Sequence, residues 1–362
     1  MSKILISGYY GFSNAGDEAM LTAIIEALRA ERQDVEITVM SGKPEITAEK
    51  HGVNSIHRFN PLQIFKAMLS ADLLLSGGGS LLQDVTSKRS ILYYLSILLM
   101  AKLLGKKVML YAQGIGPINS PVARSLTKYV CRKADLITVR DDGSYDELLE
   151  MGLPADRILV TADAVFSLVA DRKDIGRKIL QENGLEGEKP IIGIAVRHWP
   201  GEQRFMHVFA EAAFKLRKQY DAYIVFVPLQ FPSDTKIAKE IALLMEDQTD
   251  TIILEEGYTT EEYVSLISNL DFLIGMRLHA LVFSALAGVP FLAVSYDPKV
   301  DRFVKGMEGT VAGSIDKITS EDILRESAKM WQRVPQKQNA KIQALRKEAQ
   351  RNAARAVGLL TK

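Results

Sequence analysis

Residues 271–301 read DFLIGMRLHALVFSALAGVPFLAVSYDPKVD. Two apolar runs within them, Asp271–Gly275 and Phe291–Ser295, flank a stretch with helical character. A buried strand that breaks into a helix and returns to a second buried strand is a unit of parallel sheet. In an open parallel sheet the carboxyl ends of the strands line the ligand crevice. The first strand end delivers Arg277 and His279 in the opening turn of its helix, and the second runs into Tyr296, Asp297 and Lys299. An arginine, a histidine and a lysine at neighbouring strand ends suit a small anionic substrate with proton transfer nearby. A helix N-terminus already favours anions.

Outward from this segment, strand and helix alternate along the whole chain. Strands are expected at Lys3–Gly8, Val35–Met40, Asp72–Ser76, Lys107–Ala112 and Leu136–Arg140, with helices at Ala15–Glu31, Pro61–Ser70, Arg89–Leu104 and near Val122–Lys133. The rhythm loosens around Asp171–Pro190, where the turn-rich NGLEGEKP marks a domain junction. Alternation then resumes with strands at Ile191–Arg197, Ala222–Pro228 and Thr251–Leu254, and helices at Phe205–Tyr220, Asp234–Glu246 and Thr260–Leu270. Short continuous apolar strands between amphipathic helices indicate parallel sheets covered on both faces. The expected fold is therefore α/β: two Rossmann-like, doubly wound domains, 1–172 and 173–336, with a cleft between them, followed by a basic helix over 337–362.

Composition narrows the function. At 362 residues, two domains are the natural prior. A net charge of +1 implies no general affinity for nucleic acid. The single Cys131 supports neither a disulfide framework nor a cysteine metal motif. MSKILISG enters a strand directly, so a cytoplasmic chain is expected. The apolar run ILYYLSILLMA at 91–101 is too short to span a bilayer and is bracketed by Lys88, Arg89 and Lys102. It reads as a buried helix, with a surface helix resting on lipid as the alternative. The last helix, about Lys337–Leu360, has Ile342, Leu345, Ala349, Ala356 and Leu360 at helical spacing, while its other faces are basic. That is either a solvated face on a packed helix or an attraction to the cytoplasmic face of an anionic membrane or to a lipid-linked substrate.

Three glycine-rich corners follow strands. Gly8–Glu18, GYYGFSNAGDE, has Gly11 to admit a ligand, and Asn14 and Asp17 to meet sugar hydroxyls or to cap the helix. Ser76–Asp84, SGGGSLLQD, adds Gly78, Gly79 and Asp84, and Gln113–Pro117, QGIGP, is the third. Neither a dinucleotide fingerprint nor a phosphate-loop lysine is present. Arg140 ends a strand and precedes Asp141 and Asp142, as an anion clamp or a local ion pair. Arg197 and His198 end the first strand of the second domain. His51, His57 and His207 read as surface residues, whereas His279 lies where a proton carrier belongs. No metal-ligand spacing appears, and no cofactor is expected.

Taken together, GYYGFSNAGDE, SGGGSLLQD, AQGIGP, TVRD and GMRLHALVFSALAGVP, in that order, resemble the polysaccharide pyruvyl transferases. The likeness is to the CsaB branch, which acts in anchoring bacterial cell-surface proteins. It covers the chain from Lys3 to about Phe303. The resemblance implies an architecture similar to that of GT-B glycosyltransferases. It also implies transfer of a pyruvyl group from phosphoenolpyruvate, a co-substrate, onto N-acetylmannosamine of a lipid-linked disaccharide precursor of the secondary cell wall polymer. By position in the motifs it places Arg140, His279 and Lys299 among the functional residues. Arg277, Gly11, Asn14, Asp17, Gly78, Gly79, Asp84, Gln113 and Arg197 are the expected substrate contacts. Two rivals are a nucleotide-sugar glycosyltransferase, needing an acid such as Asp297 or Glu255 for the ribose, and a non-catalytic sugar-phosphate-binding module.

Overall fold

The computed structural model describes residues 1–85, 87–169, 172–199, 203–331 and 336–360. Asp171 and Pro200 lie outside these, and so do the side chains of Lys88 and Lys337. The chain forms two compact units. The first comprises Met1–Phe12, Asp17–Leu168 and Ala344–Lys362; the second comprises Ser13–Gly16 and Val169–Gln343.

The first unit is built on β1 (Ser2–Tyr10), α1 (Ala15–Glu31), β2 (Val35–Ser41), α2 (Pro44–His51), β3 (Asn54–His57), α3 (Pro61–Ser70), β4 (Leu73–Gly77), α4 (Lys88–Leu103), β5 (Lys107–Gln113), α5 (Pro121–Lys133), β6 (Leu136–Val139), α6 (Asp142–Glu150) and β7 (Ile158–Val160). Its strands form a parallel sheet in the order β3-β2-β1-β4-β5-β6-β7. The central strands are mostly apolar because both of their faces are covered, with polar Ser76 and Gln113 at their carboxyl ends. On one face, Ile64 and Met68 of α3, Leu95 and Leu98 of α4, Val130 of α5 and Leu148 of α6 pack with Leu74, Leu110 and Ile137 of the sheet.

The apolar run of α4 is accounted for by this core: Ile91, Tyr94, Leu95, Ile97, Leu98 and Ala101 are all buried. Among the described residues no helix is long and apolar enough to cross a membrane. Cys131 is also buried here, which pushes its thiol pKa up to about 12. The last helix, α14 (Gln336–Leu360), sets Ala349, Ala353 and Ala356 into buried positions. Asn352 Nδ2 donates to Thr161 Oγ1 at 3.1 Å, and Arg346 Nη2 to the Leu168 carbonyl at 3.2 Å.

The second unit contains α7 (Lys173–Glu182), β8 (Ile191–Ala195), α8 (Arg204–Tyr220), β9 (Tyr223–Phe226), α9 (Ser233–Leu243), β10 (Thr251–Ile253), α10 (Thr260–Ile267), β11 (Phe272–Gly275), α11 (Leu278–Ala287), β12 (Phe291–Ser295), α12 (Pro298–Gly306), β13 (Thr310–Ser314) and α13 (Ser320–Trp331). Its parallel sheet runs β10-β9-β8-β11-β12-β13. Phe205 and Phe209 of α8 pack with Ile194, Phe226, Phe272, Ile274 and Leu292 in its core. The fold class read from alternation holds: two doubly wound, parallel-sheet α/β units. Elements that the alternation passed over, α2, β3, α6, β7, α12, β13 and α13, lie mostly at sheet edges. There the apolar pattern is diluted: β3 (NSIH) has no buried residue.

α7 is held against α10 by the absence of a side chain at Gly176. A Cβ there would collide with the Ser265 carbonyl and the Leu266 amide nitrogen. Gly176→Ala is predicted to destabilise the protein by about 1–3 kcal/mol, because the two helices must part. Gly306→Ala, where an added methyl meets open space, serves as the neutral control. Urea midpoints for the two variants check this; equal midpoints would show that α7 and α10 adjust without cost.

Candidate functional site

Both sheets have a switch point, at β1/β4 in the first and β8/β11 in the second, from which the chain winds in opposite directions. Carboxyl ends of strands flanking such a point leave a crevice. In the first unit the three glycine corners and Arg140 all follow strands on this edge. Gly78 and Gly79 take φ of 59° and 71°, a left-handed path that favours glycine. Gln113 braces that turn from below. Its Nε2 donates to the Gly78 and Gly79 carbonyls at 3.1 and 2.5 Å, and its Oε1 accepts from Ser76 at 2.8 Å. Gln113 is fully buried, so the expected substrate contact gives way to support of the corner.

Asp84 is likewise committed, accepting from the backbone amides of Asn119 and Ser120 at 2.8 and 2.7 Å. Gly11 lies against Ser41 and Lys43 and donates its N–H to Glu18 Oε1 at 2.8 Å. Asp17 reaches the Gly79 turn, where an added Cβ would sit 3.4 Å from its Oδ1. Arg140 is only 6% exposed at its side chain. Its Nη1 donates to Asp163 Oδ2 at 2.8 Å, its Nη2 to Ser80 Oγ at 3.0 Å, and Asp141 stands 3.6 Å from its Nε. Burial works against the charge, yet Asp163 and then Asp141 outweigh it and hold the guanidinium above its ordinary pKa. Arg140 thus offers directed N–H groups with its charge already balanced.

In the second unit, β8, β11 and β12 are adjacent, with Gly275 opposite both Ala195 and Ala293. Their ends bring Arg197 and Lys299 to one ring: the Arg197 guanidinium lies 4.6 Å and Lys299 Nζ 5.5 Å from the Tyr296 centroid. Trp199 packs edge-on to the same ring at 5.6 Å. Arg197 makes no ion pair among the described residues, and its buried Nε has no hydrogen-bond partner. Lys299 opens α12, with Asp297 Oδ2 at 3.3 Å from its Nζ. Asp297 caps that helix through the Lys299 N–H at 3.0 Å, and the exposed Glu255 pairs with Lys239 at 2.8 Å.

His279 sits in the first turn of α11 with its Nε2 buried. Gly16 packs onto its other side, so closely that a Cβ would collide with Nδ1. The segment Ser13–Gly16 therefore belongs with His279: the Ala15 N–H donates to the Leu229 carbonyl at 2.8 Å, and Asn14 pairs with Gln230. Asn14 Oδ1 also accepts from the Gly16 N–H at 3.0 Å, as a helix cap does. Arg277 is engaged within the protein. Its Nε donates to Asp234 Oδ2 at 2.8 Å, its Nη2 to the other carboxylate oxygen and to Gln230 Oε1 at 3.1 Å.

Asp163 and Asp234, the acids that neutralise Arg140 and Arg277, escaped the sequence reading. So did Arg58, buried among the rings of Tyr9, Phe12, Phe59, Tyr93 and Tyr94. His51 is a correction. It is buried, with Nε2 3.5 Å from Glu18 Oε2, because α2 carries it inward. Burial works against the Glu18 charge, but hydrogen bonds from His51 and Gly11 bring its pKa below the ordinary value. Among the described residues no cluster of His, Cys, Asp and Glu is placed to hold a metal ion.

Solved structures place this architecture with GT-B-like proteins. The chain is similar to UDP-GlcNAc 2-epimerase from Methanocaldococcus jannaschii, with a TM-score of 0.70 at 16% identity over 100% of this chain and 99% of that one. It is also similar to the Neisseria meningitidis UDP-GlcNAc 2-epimerase bound to UDP-GlcNAc, with a TM-score of 0.66 at 15% identity over 99% of each chain. These likenesses concern the fold. The sequence profile of the polysaccharide pyruvyl transferases matches residues 14–298, and the chain belongs to that family. A curated relative is the amylovoran biosynthesis protein AmsJ of Erwinia amylovora, 22% identical over 352 residues, which cover 82% of this chain and 84% of that protein.

The Arg277–Asp234 pair yields a stability test. Asp234 is fully buried and also accepts from the Leu229 and Gln230 amides. Asp234→Ala should cost about 3–5 kcal/mol, because it strands a largely buried guanidinium. Adding Arg277→Met to that variant should recover more than about 1 kcal/mol in a double-mutant cycle. Additive denaturation energies would instead show Arg277 to be energetically independent of Asp234.

Proposed function

We propose that the chain forms a cyclic pyruvyl ketal, taking the pyruvyl group from phosphoenolpyruvate and passing it to an N-acetylmannosamine residue of a lipid-linked disaccharide precursor, in the manner of the CsaB branch. The observation that carries the reading is the convergence of Arg197 and Lys299 on Tyr296 after β8 and β12, the strands that flank β11 and its His279-bearing helix, within a pyruvyl transferase sequence. Phosphoenolpyruvate brings a carboxylate and a phosphate. Arg197, which makes no ion pair among the described residues, supplies positive charge for them; Lys299, partly exposed and sharing its charge with Asp297 at 3.3 Å, adds a mobile donor, and the start of α12 adds its N–H groups.

The reaction protonates the methylene carbon and makes the neighbouring carbon electrophilic. One sugar hydroxyl then adds to it, the carbon–oxygen bond to phosphate breaks, and a second hydroxyl closes the ketal. The two hydroxyls lose their protons, of which one offsets the proton gained by the methylene and the other balances the departing phosphate. His279 is assigned the proton transfer, as acid to the methylene or base to a hydroxyl. Lys299 is assigned stabilisation of the leaving phosphate. Arg277 has no part in this scheme, since Asp234 already neutralises it. Arg140, with its charge balanced, is assigned to acceptor hydroxyls at the edge of the first unit, with Asp17 near it.

The deciding assay incubates pure protein with phosphoenolpyruvate and a synthetic or lipid-linked disaccharide, and reads phosphate release and the pyruvyl mass increment. Phosphate release that depends on the acceptor is expected; turnover with a UDP-sugar in place of phosphoenolpyruvate would favour the glycosyltransferase. His279→Ala should lower turnover by about 10²–10⁴-fold with an unchanged melting midpoint. Near-normal turnover in that variant removes His279 from the chemistry.

A further inference from the structure

Helices α3, α4 and α5 cover one face of the first unit's sheet and share its core. Their sequences, PLQIFKAMLS, KRSILYYLSILLMAKL and PVARSLTKYVCRK, contain no aspartate or glutamate. The chain as a whole nearly balances 45 basic residues with 44 acidic ones. The fourth helix on this face, α6, carries Asp142, Asp146, Glu147 and Glu150, of which Glu147 and Glu150 pair with Arg124, so the acid-free part is the portion formed by α3, α4 and α5. Two of its cations are neutralised from outside the three helices: Lys102 by Asp135 at 2.7 Å and Arg124 by Glu147 at 2.6 Å. Lys66, Arg89 and Lys133 stay exposed and make no ion pair among the described residues.

The same surface is apolar where water would favour polar groups. Leu62, 74% exposed, Phe65 and Leu69 form a stripe along α3, opposite the buried Ile64 and Met68. α4 ends on Leu103, 78% exposed, and α5 presents Val122, 67% exposed, and Tyr129, over whose ring Lys133 Nζ lies at 4.9 Å. Scattered exposed leucines are ordinary; a set spread over three acid-free helices and interleaved with free cations is not. The basic helix α14 is different, because its Glu348 pairs with both Arg351 and Arg355.

We propose that the α3–α5 face rests on an anionic lipid bilayer, with Leu62, Phe65 and Tyr129 entering the headgroup region and Lys66, Arg89 and Lys133 meeting lipid phosphates. Charge complementarity selects an anionic surface, and aliphatic and aromatic side chains alternating with lysine and arginine suit the lipid interface. A second copy of the same face would set cation against cation. The inference is independent of the pyruvyl-transfer reading, and its test involves no turnover.

The test is co-sedimentation of the full chain with vesicles of equimolar phosphatidylglycerol and phosphatidylcholine, and with phosphatidylcholine vesicles alone. Binding to the anionic vesicles, weakened by salt, is expected. Leu62→Asp combined with Phe65→Asp should reduce it by at least about tenfold, since both apolar anchors are lost. Lys66→Gln with Lys133→Gln should weaken it on anionic vesicles only. Arg351→Gln, on α14, should bind as the parent does. Melting curves verify that each variant is folded. Absence of vesicle binding by the parent, or undiminished binding by the folded Leu62/Phe65 variant, overturns the proposal. It is equally overturned if the parent ignores vesicles but forms a dimer that the Leu62/Phe65 variant cannot.

Discussion

Every strand in each sheet is parallel to its neighbours, and that constraint orders the rest of the molecule. Parallel strands need helical crossovers, the crossovers cover both faces, and strands so covered must be mostly apolar. Runs such as LLL in β4 and FLI in β11 leave no room for chemistry along the strand. Polar groups enter only where the chain leaves the sheet, and parallel pairing puts all the exits of one sheet on the same edge. Arg140, Asp163 and the glycine corners share that edge in the first unit; Arg197, His279 and Lys299 share it in the second. The catalytic candidates are thus grouped by topology before any side chain selects a partner.

Because the constraint acts on whole strands, it is legible in sequence where strands are central and faint where they are marginal. The bounds of α1, α3 and β12 match the expected ranges residue for residue, since their apolar spacing is unbroken. β3 and β7 lie at opposite edges of their sheet, with one neighbour each. β13 is an edge strand too, and its five residues are half-buried or exposed. The missing α2 had a further consequence. Without it His51 falls in a loop, and its inward approach to Glu18 on α1 does not suggest itself.

Site residues were legible as positions and not as partnerships. Residue type and strand-end placement were enough to nominate Arg140, Arg197 and Arg277. What each does depends on acids far away in sequence: Asp234 is 43 residues from Arg277, and Asp163 is 23 residues from Arg140. Asp84 and Gln113 show the same limit, for both are polar residues in glycine-rich corners whose hydrogen bonds go to groups of the corner itself, most of them backbone. Such a corner needs internal support because its own carbonyls and amides leave the sheet ladder.

Charge accounting then separates three arginines that look alike in sequence. Neutralising an anionic donor requires positive charge that no carboxylate has already claimed. Arg277 has given its charge to a fully buried Asp234, and withdrawing it would leave that carboxylate unpaired in the interior, at a cost of several kcal/mol. Arg140 faces both Asp163 and Asp141, so an anion there would have to displace a partner held at 2.8 Å. Arg197 rests on an aromatic face, which steadies a guanidinium without neutralising it, at an energy of about 0.5–2 kcal/mol. An incoming carboxylate or phosphate therefore gains most from Arg197. Of the three, Arg197 is the one whose charge no carboxylate among the described residues has claimed.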